Sequence, residues 1–217
     1  SLKADLFVEG RPYLESATSP LYLGDPLVLA GGTFRQRSEA SGGDNRSSAT
    51  NYPLVQLMRA DNQQTQWMPV DPATPFTDSS FTSLPVDGWP AGYARVTVFV
   101  NGIPSHSRMI QVLPPVPESF GKSEPADGVD DQPLSLTLSW GASDHAAMYE
   151  YCLDTNDNDA CDDTWISTGT ETSVELNDLD TLTDYYWQVR AVNITGQTEA
   201  DGGNWWSFET TRHPQAE

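Results

Sequence analysis

Residues 185–193 read YYWQVRAVN, and the alternation of their side chains decides the fold of the second half of the chain. One set of alternate residues is suited to a core: Tyr185, Trp187, Val189 and Ala191. The residues between them form the opposite set: Tyr186, Gln188, Arg190 and Val192. Because successive side chains of a β-strand point to opposite faces, this run predicts a strand with one buried face.

The flanking sequence has the same character. Residues 134–140, LSLTLSW, alternate between large apolar residues and Ser or Thr. Further short strands are predicted at residues 148–153, 165–168, 173–176 and 206–210. The chain contains 16 Gly and 16 Pro residues, and no segment keeps a helical period over three turns. These features predict an all-β protein built from sandwiches.

The run from residue 179 to residue 196 resembles a fibronectin type III domain. The family pattern L-x-x-x-T-x-Y-x-x-x-V-x-A-x-N-x-x-G is matched by Leu179, Thr183, Tyr185, Val189, Ala191, Asn193 and Gly196. The resemblance covers residues 116–211. It implies that Trp140 is the core tryptophan and that Tyr185 is a corner tyrosine bonded to the backbone. It implies no particular ligand, because this sandwich serves many functions.

The first half also consists of short apolar runs. Strands are predicted at residues 3–8, 26–29, 52–60, 65–70, 81–84, 94–100 and 108–113. Asn101-Gly102 after a strand is a strong hairpin signal. The polar residues 38–50 are expected to form an exposed loop. About seven strands in one half predict an immunoglobulin-like sandwich.

Residues 89–105, WPAGYARVTVFVNGIPS, resemble the C-terminal immunoglobulin-like domain of galactose-oxidase-like proteins and, more loosely, IPT/TIG modules. In the copper enzymes this domain lends a histidine from the strand that aligns with residues 50–57. Those residues read TNYPLVQL here and contain no histidine. The resemblance therefore implies the fold without the copper chemistry.

The proline-dense residues 113–117, LPPVP, predict a short, semi-rigid linker between two domains, residues 1–114 and 115–217. Charge changes at the same place. Residues 1–115 contain eight Lys and Arg against ten Asp and Glu, whereas residues 116–217 contain three against 21. We detect no sequence repeat between the halves.

The net charge of −20 works against binding to nucleic-acid phosphates and anionic membranes, which need basic patches, and we expect neither partner. No apolar run approaches the roughly 18 residues that span a bilayer. No signal peptide opens the chain, so we expect it to be a fragment of a longer protein, with the targeting and anchoring signals outside the fragment. We expect the fragment to be a monomer.

No catalytic constellation is visible. The three histidines, His106, His145 and His213, are scattered, and no G-x-S-x-G motif or Cys–His pairing is present. We therefore expect no enzymatic activity and no required cofactor.

The only two cysteines, Cys152 and Cys161, are nine positions apart around a loop rich in Asp and Asn. We expect them to form a disulfide across a β-hairpin, because antiparallel neighbours bring Cα atoms within bonding range. This pairing indicates an oxidising compartment, outside the cell or at its surface.

The acidic loop between the cysteines is a weak calcium candidate. Asp154, Asn156 and Asn158 match the opening of an EF-hand loop, but Asp159 replaces its glycine and Trp165 its bidentate glutamate. A solvated hairpin tip is the favoured interpretation.

Trp205 and Trp206 are adjacent, so a strand would expose one of them as a weak carbohydrate-binding candidate. Edge-of-core packing is the favoured interpretation. Two N-x-S/T sequons begin at Asn45 and Asn193. The sequence thus favours spacer or adhesion modules of a larger protein, with a carbohydrate-binding accessory module as the alternative.

Overall fold

The computed structural model describes residues 11–35 and 52–212. The chain divides between Leu113 and Pro114 into two compact units, called here unit 1 and unit 2. Both are all-β sandwiches, which confirms the predicted fold class. The strand predicted at residues 3–8, the polar loop at residues 38–50 and the sequon at Asn45 lie outside the described residues.

Unit 1 contains nine described strands: β1 (Tyr13–Ala17), β2 (Leu21–Tyr22), β3 (Pro26–Gly32), β4 (Leu54–Arg59), β5 (Thr65–Met68), β6 (Ser80–Pro85), β7 (Gly92–Val100), β8 (Ile103–Pro104) and β9 (Arg108–Leu113). A small sheet has the order β1-β3-β6. The larger sheet has the order β2-β9-β7-β4-β5, with β8 paired to β7.

Unit 2 contains nine more: β10 (Lys122–Glu124), β11 (Val129–Gln132), β12 (Leu136–Trp140), β13 (Met148–Asp154), β14 (Ile166–Gly169), β15 (Ser173–Leu176), β16 (Asp184–Val192), β17 (Gln197–Glu199) and β18 (Trp206–Thr210). Its small sheet is β10-β12-β15, and its larger sheet is β11-β18-β16-β13-β14, with β17 paired to β16.

The two units have the same topology, strand for strand, although no sequence repeat is detectable between them. In each unit the second strand pairs in parallel with the last, β2 with β9 and β11 with β18. Each unit also has a cis X-Pro bond just before that strand, Ser19-Pro20 and Glu124-Pro125. A sandwich specifies which positions face inward and not which apolar residue fills them, so topology can repeat without sequence identity.

The core of unit 1 is formed by alternate residues of the facing sheets. Val55 and Leu57 of β4 are buried, as are the inward residues of β7, Ala94, Val96, Val98 and Val100. β1 lies so close to β3 that a Cβ on Gly31 would meet the backbone oxygen of Tyr13 at 2.0 Å. A Cβ on Gly32 would meet the Tyr13 ring at 2.6 Å. Glycine is therefore required at positions 31 and 32, where β3 pairs with β1.

The core of unit 2 is aromatic. Trp187 is completely buried, and the inward residues Trp140, Tyr149, Tyr185 and Phe208 pack around it. The hydroxyl of Tyr185 accepts a hydrogen bond from the backbone N–H of Asp180 at 3.0 Å. This bond to the backbone is the tyrosine corner that the sequence predicts.

Most predicted strands are present with boundaries shifted by one or two residues. The predicted hairpin at Asn101-Gly102 is confirmed, with Val100 paired to Ile103 and positive φ at both turn residues. Six short strands were not predicted: β1, β2, β8, β10, β11 and β17. Short edge strands show too little alternation to be recognised, because their pairing is supplied by longer neighbours.

Candidate functional site

Within residues 11–35 and 52–212, no three His, Cys, Asp or Glu side chains are grouped so that they could hold a metal ion. His106 lies 3.4 Å from a guanidinium nitrogen of Arg11, and His145 lies in the other unit. His213 lies outside the described residues. So do residues 50 and 51, which begin the strand that aligns with the histidine-bearing strand of the copper enzymes. The described part of that strand, β4, contains no histidine.

The disulfide between Cys152 and Cys161 is present, with Cα atoms 5.9 Å apart. It differs in one respect from the predicted cross-hairpin bridge. Cys152 pairs across the sheet with Gln188 of β16, whereas Cys161 lies in the loop between β13 and β14. The bond therefore fastens this loop onto its own strand, and Cys152 is fully buried beneath it.

The predicted calcium residues lie in that loop, and most of their polar atoms form hydrogen bonds within it. Both carboxylate oxygens of Asp154 accept backbone N–H groups, from Asn156 at 2.9 Å and from Asp162 at 3.3 Å. The side-chain amides of Asn156 and Asn158 donate to the Asp162 carboxylate at 2.7 and 2.8 Å. The loop is thus held by internal hydrogen bonds, and the Asp162 carboxylate, an oxygen ligand of the type that calcium prefers, accepts from two amides.

The two adjacent tryptophans point to opposite sides of β18. Trp206 packs edge-on against buried Trp187, with ring centroids 6.1 Å apart. Trp205 lies on the outer face beside Trp165, at 6.4 Å between centroids. Both Trp205 and Trp206 are half-buried, so they do not form one exposed pair.

Trp165 carries a cation on its ring. The Arg190 guanidinium lies 4.2 Å from the Trp165 centroid and forms an ion pair with Glu150 at 2.6 Å. A guanidinium stacked on an indole and paired with a carboxylate covers part of the ring.

Lys122 is a buried cation that the sequence analysis did not identify. Its ammonium donates to Gln188 Oε1 at 2.8 Å and to the Asn204 carbonyl at 2.6 Å, and it lies 3.2 Å from the Asp201 carboxylate. Burial lowers the pKa of Lys122, and the hydrogen bond with Asp201 opposes that shift. All three N–H groups have acceptors, so this lysine joins β10 to β16 and to the turn before β18.

Several exposed apolar side chains on one sheet face were also missed. They are outward residues of the larger sheet of unit 1, and we call them the unit 1 face: Leu54, Trp67, Tyr93, Phe99 and Met109. Trp67 is 51% exposed and Tyr93 is 62% exposed. The Trp67 and Phe99 rings meet edge to face at 5.6 Å. Alternation along β4 places Leu54 on the face opposite buried Val55 and Leu57, and side chains from three other strands lie on the same face.

A shallow cleft lies at one end of this sheet. It has a volume of about 460 Å³ and is lined by Arg59, Ala60, Asp61, Ala91, Gly92 and Tyr93. Arg59 binds Asp61 through two nitrogens, with Nε donating to Oδ1 at 2.8 Å. This pairing lowers the pKa of Asp61 to about 2. The guanidinium is already neutralised, which leaves the cleft without a free charge from this pair.

In residues 11–35 and 52–212, no helix has the length and apolar character needed to cross a bilayer.

No protein-family model matches this sequence, and neither does any curated protein. The solved structures that are similar to it include three tandem-domain segments. A two-domain fibronectin type III segment of chicken tenascin is 14% identical with a TM-score of 0.47, and the match covers 90% of this chain and 96% of that one.

The FN1–FN3 domains of chicken CNTN1 are 14% identical with a TM-score of 0.40, over 94% of this chain and 67% of that one. A structure concerning Dscam isoform specificity is 9% identical with a TM-score of 0.46, over 92% of this chain and 45% of that one. The assignment of each unit as a β-sandwich rests on its own sheet topology.

Proposed function

We propose that the chain is a pair of non-catalytic modules of a larger secreted or cell-surface protein, acting as spacer or adhesion domains. The direction of the strands carries the spacer role. In each larger sheet the second strand and the last strand run parallel, β2 with β9 and β11 with β18. In unit 1, Arg11 lies beside Pro104 and Leu21 beside Val112, so the entering segment runs in the same direction as the segment that leaves. In unit 2, Lys122 lies beside Asn204 and Val129 beside Phe208, with the same result. The chain therefore enters each unit near one end and leaves it near the other, so each module extends the polypeptide by its own length.

The proposed location is supported by the disulfide of unit 2. Disulfides persist in oxidising compartments and are rare in the cytosol. The strongly acidic composition of unit 2 suits a solvated monomer that remains dispersed at high concentration.

The spacer role requires that each unit is stable alone. Each has its own buried cluster, which supports independent folding. The two units, residues 1–113 and 114–217, expressed separately, should each unfold cooperatively with a β-type circular dichroism spectrum. A half that is disordered alone would contradict the two-module proposal.

The function is tested by replacement in the parent protein. If the units are spacers, two unrelated β-sandwiches of equal length should restore activity that is lost when both units are deleted. If the native units restore this activity and the foreign pair does not, the units contribute a specific binding surface. That result would favour the adhesion role over the spacer role.

Carbohydrate binding is the second candidate, and the unit 1 face favours it. Trp67 and Tyr93 each expose more than half of their surface on one sheet face. Exposed aromatic rings are suited to stacking on the apolar faces of sugar rings. Gln56 lies beside Trp67 across the strands and offers an amide to the same ligand.

This second candidate is tested by calorimetry with soluble polysaccharides. The wild-type chain should bind, Trp67→Ala should abolish binding, and Trp205→Ala should leave it unchanged. The reverse pattern would locate the site at the predicted tryptophans of unit 2. Absence of binding by the wild-type chain would eliminate the candidate.

A further inference from the structure

The proline segment at the start of unit 2, residues 114–118, is hydrogen-bonded to the loop between β16 and β17. Thr195 Oγ1 donates to the Pro114 carbonyl at 2.7 Å, and Asn193 Nδ2 donates to the Pro115 carbonyl at 2.7 Å. Thr198 Oγ1 donates to the Pro117 carbonyl at 2.6 Å. Three side chains from one hairpin thus hold three proline carbonyls.

The last residue of the segment is held from a second loop. The Glu118 N–H donates to the Asp144 carbonyl at 3.0 Å, and Ser143 Oγ donates to the Glu118 carbonyl at 2.5 Å. Val116 packs so close to the hairpin that a Cβ on Gly196 would lie 3.1 Å from its Cγ1. Pro117 is buried. The segment predicted to be a linker is therefore bound along its length.

Side-chain donors suit this segment for a physical reason. Proline has no N–H, and an extended proline run makes no internal hydrogen bonds, so its carbonyls need donors from elsewhere. A neighbouring strand cannot pair with it regularly, because a ladder needs donors from both chains. Hydroxyl and amide side chains supply donors without requiring any in return.

Asn193 is the centre of the arrangement because all its polar atoms are used. Besides Pro115, its Nδ2 donates to the His145 carbonyl at 2.8 Å. Its Oδ1 accepts from the backbone N–H groups of Thr195 at 2.7 Å and Gly196 at 3.1 Å. Both amide hydrogens and the amide oxygen therefore have partners in the folded chain.

We propose that Asn193, Thr195 and Thr198 form a clamp that holds residues 114–118 as part of unit 2, and that this clamp excludes an N-linked glycan on Asn193. Asn193 and Thr195 are also the acceptor and hydroxyl residues of the second sequon. A glycan replaces one hydrogen of Nδ2, and a sugar carbon cannot occupy the space between Nδ2 and an oxygen 2.7 or 2.8 Å away. The clamp does not depend on what the protein binds.

Amide hydrogen exchange in the full chain tests the clamp. Asn193→Asp keeps the two acceptor contacts of Oδ1 but replaces the donors with oxygen, which repels the Pro115 and His145 carbonyls. Thr198→Val removes one hydroxyl at nearly constant volume. Exchange at the Glu118 amide should accelerate by about threefold to tenfold for each hydrogen bond lost, the factor that corresponds to its net free energy.

Two controls separate release of the clamp from general destabilisation. Ile194→Ala changes the middle residue of the sequon, whose side chain is 74% exposed, and should leave Glu118 exchange unchanged. The Val189 amide of β16 should stay protected in every variant. If Asn193→Asp accelerates exchange at the Glu118 and Val189 amides equally, that variant is generally destabilised. The clamp is then tested by Thr198→Val. Unchanged Glu118 exchange in Thr198→Val would overturn the clamp.

The glycan exclusion is tested with a soluble N-glycosyltransferase that transfers glucose from UDP-glucose to the asparagine Nδ2 and releases UDP and a proton. Peptide mass spectrometry should find Asn193 unmodified in the folded wild-type chain and glucosylated in the urea-unfolded chain. Folded Thr198→Val, which keeps the sequon, should be modified faster than the folded wild type. Equal modification of folded and unfolded wild type at Asn193 would overturn the exclusion.

Discussion

The phenolic oxygen of Tyr185 accepts a hydrogen bond from the backbone N–H of Asp180 at 3.0 Å, and its ring stacks on Phe208 with centroids 5.4 Å apart. One side chain thus joins the turn before β16 to the core of unit 2.

Tyr185→Phe should destabilise unit 2 by about 1–3 kcal/mol, because the mutation leaves the partly buried Asp180 N–H without its acceptor. Urea unfolding followed by tryptophan fluorescence measures the change. Tyr186→Phe is the matched control, since Tyr186 lies on the opposite face of β16, and it should have little effect. Equal losses in the two variants would show that the corner bond contributes nothing specific.

Gly31→Ala and Gly32→Ala should each destabilise unit 1 by about 1–3 kcal/mol, because the new methyl group overlaps Tyr13. The two clashes differ in kind. Gly32 meets the Tyr13 ring, whereas Gly31 meets its backbone. In a Tyr13→Ala background, the cost of Gly32→Ala should therefore disappear and the cost of Gly31→Ala should remain.

A Gly141→Ala variant provides the control for these substitutions, because its new Cβ would have only an ordinary contact at 3.7 Å. Thermal unfolding of the wild type, Tyr13→Ala, Gly141→Ala and each of the two glycine variants with and without Tyr13→Ala measures the comparison. If Tyr13→Ala removes the stability loss of both glycine substitutions equally, the Gly31 clash does not come from the Tyr13 backbone. That result would contradict the close approach of the β1 backbone to β3.

Loss of the disulfide should destabilise unit 2 by about 2–5 kcal/mol, because it releases the loop from β13 and frees the unfolded chain. The variant Cys152→Ala/Cys161→Ala tests this by urea unfolding, and the transition of unit 1 serves as the internal reference. Mass spectrometry of the unreduced, alkylated wild type should detect no alkylated cysteine. Two alkylated thiols would contradict both the bond and the proposed compartment.

The Asp61 carboxyl should titrate with a pKa of about 2, below its ordinary value of 3.8, because the hydrogen bond from Arg59 stabilises its charged form. The folded pKa is the lower one, so the contribution of this pair to stability is present above the ordinary value and is lost as the pH falls through about 2. NMR titration of the carboxyl carbon measures it. Arg59→Gln should move the midpoint back toward 3.8, whereas Arg95→Gln should not.

Calcium should bind the acidic loop no more tightly than about micromolar, because the oxygens of Asp154 already accept backbone hydrogen bonds. Calorimetry of metal-free protein measures the affinity. A tighter site abolished by Asp154→Asn would show that the loop rearranges around the ion and would restore the predicted calcium role.

The sequence by itself determined the long central strands of both sandwiches, the hairpin at Asn101-Gly102 and the role of Tyr185. These features depend on local patterns, namely side-chain alternation, turn residues that accept positive φ, and a family motif around β16. The cysteine pairing was also within reach of the sequence, because a separation of nine residues around a turn-rich loop restricts where the two side chains can go.

The tertiary structure alone decided the features that depend on contacts between distant residues. Lys122 is buried only because Gln188, Asn204 and Asp201, which lie 66 to 82 residues later, supply its acceptors. The proline segment is clamped only because the β16–β17 hairpin folds back beside it. A sequon and an isolated lysine look the same in sequence whether they are solvated or buried, because the difference lies in partners that only the folded chain brings within hydrogen-bonding distance.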